Sequence, residues 1–340
     1  MTVSNAYNRP DQIAPATRAR VLAEAARLGY SGPNPTARSL RQRRARVVGL
    51  LFARPLSYAF LDPAAVIFLQ GVSLATEAAH LGLLLLSASD PDDPSLVNEA
   101  AVDGLIAFAM AEHVPLLDAA ARRRLPLVLV DQPARPGAAA VGIDDEAGAR
   151  AAAAHVAALG HRHVGIISLR LEQGARRGDG PVDKEGKPVV LPTVARARLH
   201  GYFSALEEAG VLRDNVPVYD CAAHGIADGA AAAAWLLAQE PRPTALLAMS
   251  DQLALGALDA ARVLGLRIPA DVSVVGFDDI PAAARGEPRL TTVHQPLEAK
   301  GFTAGRLLIE AVRGERAAGS PSVILPTELI VRGSTAHPPP

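Results

Sequence analysis

From Val47 onward the chain alternates between short, continuously apolar runs and longer alanine-rich stretches. The runs cover 47–52, 83–86, 105–108, 127–130, 164–167, 245–248 and 272–275, each of strand length. Between most of them lie stretches with helical spacing, among them 63–81, 146–159, 195–209, 228–239 and 251–264. Strands that are apolar throughout, rather than at every second position, are covered on both faces. That means parallel sheets with helices on either side. The βα units are too many for one small sheet, so the pattern predicts an α/β fold of two similar lobes.

Residues 1–46 follow a different rule. A helix is predicted from Pro15, where Val21, Leu22, Ala25, Ala26 and Leu28 recur at helical spacing and Gly29 ends the run. A second short helix, 35–43, follows a Pro-x-Pro break and carries Leu40 among arginines. Residues 170–194 are rich in Gly, Arg, Asp and Lys, break the βα pattern, and read as a surface insertion. The proline-rich end, 336–340, offers no heptad pattern for a coiled coil.

Composition sharpens this picture in three ways. A length of 340 residues, 49% of them apolar, fits two or three units with their own cores. Cys221 is the only cysteine, so no intrachain disulfide forms and a reducing, cytoplasmic setting is expected. No run reaches the roughly 18 apolar residues that span a bilayer, and no signal-peptide core opens the chain. Charge is divided unevenly. Residues 1–46 hold nine arginines against Asp11 and Glu24, a net +7, which leaves −8 on the rest of a chain whose total is −1. A basic arm on an acidic body suits a polyanion-binding protein, and a basic disordered tail accounts for the charge equally well.

Particular residues then narrow the choice. Thr2-Val3-Ser4-Asn5-Ala6-Tyr7-Asn8 resembles the recognition helix of lactose-repressor-type (LacI family) transcription regulators, and 18–30 resembles their third helix. Pro33-Asn34-Pro35-Thr36-Ala37-Arg38-Ser39-Leu40 resembles their hinge helix. Further signatures follow in the family's order: Ala158-Leu159-Gly160-His161-Arg162, Ser250-Asp251-Gln252 through Gly256, Val274 through Asp279, and Leu290 through Pro296. The resemblance covers nearly the whole chain except 170–194. It implies a two-lobed, periplasmic-binding-protein-like core behind an N-terminal all-α helix-turn-helix remnant and hinge helix. The expected division is 1–46 for DNA binding and 47–335 for effector binding and dimerisation. Within the core, the N-lobe is placed at about 47–161 and 295–322, and the C-lobe at about 162–294 and 323–335. The family's DNA-binding unit has a helix and turn ahead of the Thr2-Val3-Ser4 stretch, where this sequence has Met1. The expectation is a start about twenty codons upstream, or a form without specific DNA binding.

The resemblance also implies roles. A helix around Thr2–Tyr7 would enter the major groove, with Thr2, Ser4 and Asn5 as short polar groups near base edges and Asn suited to adenine. The alternative is that Thr2 and Ser4 cap or solvate a helix end. Arg9, Arg18 and Arg20 are candidates for phosphate contact. Leu40, flanked by Arg38 and Arg41, matches the leucine that wedges into the minor groove, or packs on its own core. Arg198 matches the family's ligand-binding arginine. Asp278 follows a strand directly, where its carboxylate faces a cleft, and Gln295 lies where the chain crosses between lobes. Asp251 fits a ligand contact or a helix cap, and Phe277 a core position or a stacking surface. Tyr58 and Phe60 offer an aromatic wall. Ser250, where the family often has asparagine, and the tryptophan-free Tyr219-Asp220-Cys221 leave a sugar as the expected effector, with a purine or other small polar molecule as the alternative.

These readings predict a transcriptional regulator, a repressor that binds palindromic double-stranded operator DNA as a homodimer. A sugar acts by shifting the balance between two lobe arrangements. The competing class is a periplasmic-type sugar-binding protein, which would have no use for residues 1–46. Neither a dinucleotide-binding G-x-G-x-x-G nor a G-x-S-x-G elbow is present, and His161 and His163 alone make a poor metal site. No enzyme activity, cofactor or metal is expected, and no membrane association.

Overall fold

The computed structural model describes all residues except 1, 31, 33–43, 53–54, 89, 91–92, 111–113, 170–192 and 316–321. The expected hinge helix, with Arg38, Leu40 and Arg41, and nearly all of the expected insertion therefore lie outside the described residues.

Two six-stranded sheets make the core. The first holds β1 (Val47–Phe52), β2 (Gly82–Ser87), β3 (Gly104–Phe108), β4 (Leu127–Val130), β5 (Ala139–Ile143) and β11 (Val323–Leu325) in the order β2-β1-β3-β4-β5-β11. The second holds β6 (Val164–Ser168), β7 (Val218–Asp220), β8 (Ala245–Ala248), β9 (Ser273–Asp278), β10 (Thr291–His294) and β12 (Glu328–Ile330) in the order β7-β6-β8-β9-β10-β12. The lobes repeat one topology. Among the described residues every pairing is parallel except β10 with β12. The strands are buried as their continuous apolar character requires: β3, β6, β8 and β9 are closed to solvent along nearly their whole length.

Helices cover both faces in pairs. In the first lobe α4 (Pro63–Ala78), preceded by the short α3 (Leu56–Leu61), packs on α11 (Leu297–Arg313). The other face carries α5 (Ser95–Glu99) and α6 (Pro115–Arg122). The second lobe pairs α7 (Asp145–Ala158) with α8 (Thr193–Glu208), and α9 (Ile226–Leu237) with α10 (Asp251–Val263). Glycine sets how closely these helices approach. A Cβ on Gly301 would stand 2.0 Å from the Phe68 carbonyl, and one on Gly201 would stand 2.2 Å from the Glu146 carbonyl.

Among the described residues the chain crosses between lobes three times, and two crossings differ from the expected boundaries. The first falls between Ile143 and Asp145, not at 161/162, because α7 packs on α8 and against β8, β9, β10 and β12. The last falls between Leu325 and Glu328, not at 322/323, because Val323–Leu325 pairs with Val141–Ile143 at the edge of the first sheet. The middle crossing, between His294 and Leu297, carries Gln295.

At the N-terminus, α1 (Thr2–Asn8) packs on α2 (Pro15–Arg27) through Ala6 and Ala25, and the Tyr7 and Tyr30 rings meet edge to face at 5.9 Å. Gly29 ends α2 at φ +65°, as its sequence position predicts. Where the chain enters the core, the Asp103 carboxylate accepts from the backbone N–H groups of Ala45 and Arg46, both at 2.7 Å.

Candidate functional site

Parallel α/β sheets place ligands outside the carboxyl ends of their strands, and there the two lobes share one buried polar chain. Asp131 follows β4 directly, Asp278 ends β9, and Asp145 opens α7 just past β5. Arg198 reaches in from α8 and Lys300 from α11. Arg198 Nε donates to Asp145 Oδ1 at 2.8 Å, its Nη1 donates to the Met249 carbonyl, and the same nitrogen stands 3.8 Å from Asp278 Oδ1. Gln295 Nε2 donates to Asp278 Oδ1 at 2.6 Å. Lys300 Nζ donates to Gln295 Oε1 and to Asp131 Oδ2, both at 2.7 Å. The series runs Asp131–Lys300–Gln295–Asp278–Arg198–Asp145 and joins first-lobe strand ends to second-lobe ones.

Burial governs the charges along it. Asp278 is pushed up from 3.8 to about 7, mainly by burial and further by Asp62, against the lowering pull of Arg198. Burial also raises Asp145 against the nearby Arg198 guanidinium. Arg198 loses hydration, which alone would lower its pKa, but Asp145 and Asp278 overcome this and keep it charged. The guanidinium carbon also lies over the Phe277 ring, 3.5 Å from its centroid. Backbone strain collects here as well: Asp131 has φ +55°, Asp278 +116° and Asp279 +57°, in the left-handed region that non-glycine residues rarely occupy. Asp131 Oδ1 is buried and has no hydrogen-bond partner among the described residues.

The structure thus brings Arg198, Asp278 and Gln295 together and assigns the other expected residues different positions. Phe277 is a core residue whose ring supports Arg198. Asp251 is wholly buried; Thr292 Oγ1 donates to its Oδ1 at 2.5 Å and the Ile280 N–H to its Oδ2 at 2.8 Å. Ser250, not Asp251, caps α10. Tyr58 packs against the first-lobe core, whereas Phe60 is exposed. Phe60 lines an apolar groove of about 320 Å³ with Leu61, Pro63, Val66, Ile67 and, from the second lobe, Pro281. A larger groove of about 510 Å³ runs along the outer face of α8. Its charged walls pair with their neighbours, Arg150 with Glu208 at 2.6 Å and His200 with Glu146 at 2.9 Å, so it is a solvated helix face.

In the N-terminal unit, Thr2 is exposed and Ser4 and Asn5 are half-buried on α1. Arg9 is exposed and donates to Gln12 at 3.4 Å. Arg18 is used internally, donating to the Ala6 carbonyl at 3.2 Å, so it holds α2 against α1.

Sequence reasoning missed Asp131, Asp145 and Lys300. A signal existed for two of them. Asp131 follows an apolar strand just as Asp278 does, and Lys300 is the only lysine outside the 170–194 stretch. Nothing in the pattern marks Asp145 from its neighbour Asp144.

The geometry is that of a hinged, two-lobed binding core behind a helical N-terminal unit, and comparison with known proteins agrees. Residues 153–335 match the periplasmic binding protein-like domain. An HTH-type transcriptional regulator of Mycobacterium tuberculosis is 44% identical over 99% of this chain and 93% of its own length. The HTH-type transcriptional regulator IpsA of Corynebacterium glutamicum is 40% identical over 99% of this chain and 94% of its own. Among solved structures, a LacI-family regulator from Corynebacterium glutamicum superposes with a TM-score of 0.75 at 35% identity, covering 99% of this chain and 94% of that one. A complex of the transcriptional regulator CelR with cellobiose superposes at 0.72 and 29% identity, covering 97% and 94%. The chain belongs to the LacI family of transcriptional regulators.

Proposed function

We propose that the protein represses transcription by binding palindromic double-stranded DNA as a homodimer, and that a sugar held between its lobes controls this. The observation that carries the reading is the buried polar chain at the strand ends, where Arg198, Asp278 and Gln295 converge between two hinged lobes. Such a set of directional, charge-assisted groups suits a ligand rich in hydroxyls. The buried Asp131 Oδ1, without a partner among the described residues, adds an acceptor for one of them. Phe60 and its apolar neighbours form a lip over the cleft mouth.

Thr2, Ser4 and Asn5 read base edges, Arg9 and Arg38 with Arg41 contact phosphates, and Leu40 wedges into the minor groove. Asp251 and Phe277 serve the effector indirectly, by holding the second-lobe strand ends and the Arg198 guanidinium. Residues 1–46 form the DNA-binding unit and residues 47–335 the effector core. No helix among the described residues is long and apolar enough to cross a membrane. Because its relatives are transcriptional regulators, the chain is read as a cytoplasmic regulator that acts by binding. Exposed Leu74 and Leu84 on the first lobe, with Val263 and Leu264 on the second, supply apolar surface for the dimer.

The test is calorimetry with a panel of neutral sugars, cellobiose included, followed by anisotropy with DNA from upstream of the gene at two salt concentrations. One sugar binds at one per chain, and Arg198→Lys, which keeps the charge but loses the planar fork, weakens it by about 10-fold or more. Selective DNA binding falls steeply with salt and changes when that sugar is added. Absence of sugar binding, or unchanged affinity in Arg198→Lys, overturns the effector reading. A monomer by light scattering at micromolar concentration overturns the dimer.

A further inference from the structure

Lys300 has no role in the reading above, yet its side chain is only 2% exposed. Removing an ammonium from water is costly unless it is paired, and this one contacts two groups, Asp131 Oδ2 and Gln295 Oε1. Lysine only donates, so its partner on Gln295 must be the carbonyl oxygen. The other end of that amide is then an N–H₂ group, and it points at Asp278. One ammonium on α11 thereby determines which face of Gln295 the second lobe meets. It also neutralises a carboxylate that sits on strained backbone at the end of β4.

We propose that Lys300 is a positioning residue of the effector cleft: it locks the Gln295 amide to donate to Asp278, and so holds the Asp131 strand end in register with the Asp278 strand end. The inference rests on the cleft being the effector site, but the geometry it describes exists without ligand. A ligand that enters between Asp131 and Asp278 meets a preset amide rather than one free to turn over, which reduces the ordering cost of binding.

The experiment is therefore run first on ligand-free protein. Asp278 faces Arg198 from α8, Asp62 from ahead of α4, Lys300 from α11 and Asp251 from the start of α10, with Gln295 bonded to it. Burial raises Asp278 while Arg198 and Lys300 lower it. The Gln295 side-chain N–H₂ resonance, followed by NMR between pH 5 and 9, should report one orientation and a midpoint near that of Asp278, about 7. In Lys300→Met the amide should populate two orientations and the midpoint should move upward. Lys300→Gln, which retains a donor without the charge, should keep one orientation and still show the raised midpoint. Lys300→Arg should restore both. If Lys300→Met fails to fold, the glutamine and arginine variants carry the test, because they separate donor from charge. An unchanged resonance and midpoint in the methionine and glutamine variants would make Lys300 a space-filling ion pair and overturn the proposal. These readouts need no sugar, so they stand or fall apart from the effector reading. With a neutral sugar that binds the wild type, Lys300→Met should lose about 10-fold or more in affinity while Lys300→Arg recovers most of it.

Discussion

Asp278 combines a buried carboxyl, a backbone φ of +116° and a hydrogen bond from Gln295. Its ordinary value of 3.8 rises to about 7 in the folded protein. Between those values the folded state keeps a proton that the unfolded chain releases. The stability that Asp278 contributes is therefore complete below about pH 3.8 and is lost as pH rises through about 7. Asp278→Asn has no such proton to lose. In a series of thermal melts from pH 5 to pH 8, the variant should gain on the wild type by roughly 2–4 °C. Parallel curves would show that Asp278 does not titrate in that window. At this scale the sequence was informative only where a residue's neighbours explained it. Asp278 was legible because it closes an apolar strand. Asp145 was not, because its place in the polar chain comes from a guanidinium 53 positions away, and no local pattern encodes such a partner.

Elements were legible in proportion to their apolar content. The runs at 47–52, 105–108, 127–130, 164–167 and 245–248 all became strands, whereas β5 (AAVGI) and β10 (TTVH) carry no continuous bulky run and passed unread. The misplaced lobe boundaries have the same origin. Which sheet a helix covers depends on packing across the fold, as when α7 is drawn to the second lobe by its contact with α8. That contact depends on Gly201, and it gives a prediction. Gly201→Ala places a Cβ 2.2 Å from the Glu146 carbonyl and 2.9 Å from the Arg150 nitrogen. Neither is a flexible side-chain end, so the helices must separate, at a cost of about 1–3 kcal/mol. Urea unfolding should show a lower midpoint with little change in slope; an unchanged midpoint would mean that the two helices separate freely. A second element is the entry to the core, where Asp103 holds two backbone N–H groups. Asp103→Ala should raise hydrogen exchange at Ala45 and Arg46 by about 10-fold or more, while β1 and β3 stay protected. Equal protection in both proteins would show that this carboxylate does not restrain the linker.

At the scale of the whole molecule, the three short crossings among the described residues allow the two lobes to change their relation when an effector binds. The apolar groove, where Phe60 and Leu61 of the first lobe meet Pro281 of the second, is placed to report such a change. Leu61 is 79% exposed on the first-lobe lip, across the apolar groove from Pro281 of the second lobe. The chain is well suited to a label there. Its single cysteine, Cys221, is buried, and burial with Asp228 and Asp220 nearby pushes the thiol up to about 12. A thiol in that state does not react with maleimide at neutral pH, so in Leu61→Cys the introduced residue alone takes the dye. An environment-sensitive fluorophore at this position should change emission when a neutral sugar that binds the wild type is added. The half-saturation point should match the calorimetric affinity. Labelled Leu212→Cys, on a residue 67% exposed between α8 and β7 of the second lobe, is the control and should not respond. If both labels are silent at saturating sugar, the lobes do not move against each other at the lip. Control of DNA binding would then have to pass through changes in order rather than in lobe position.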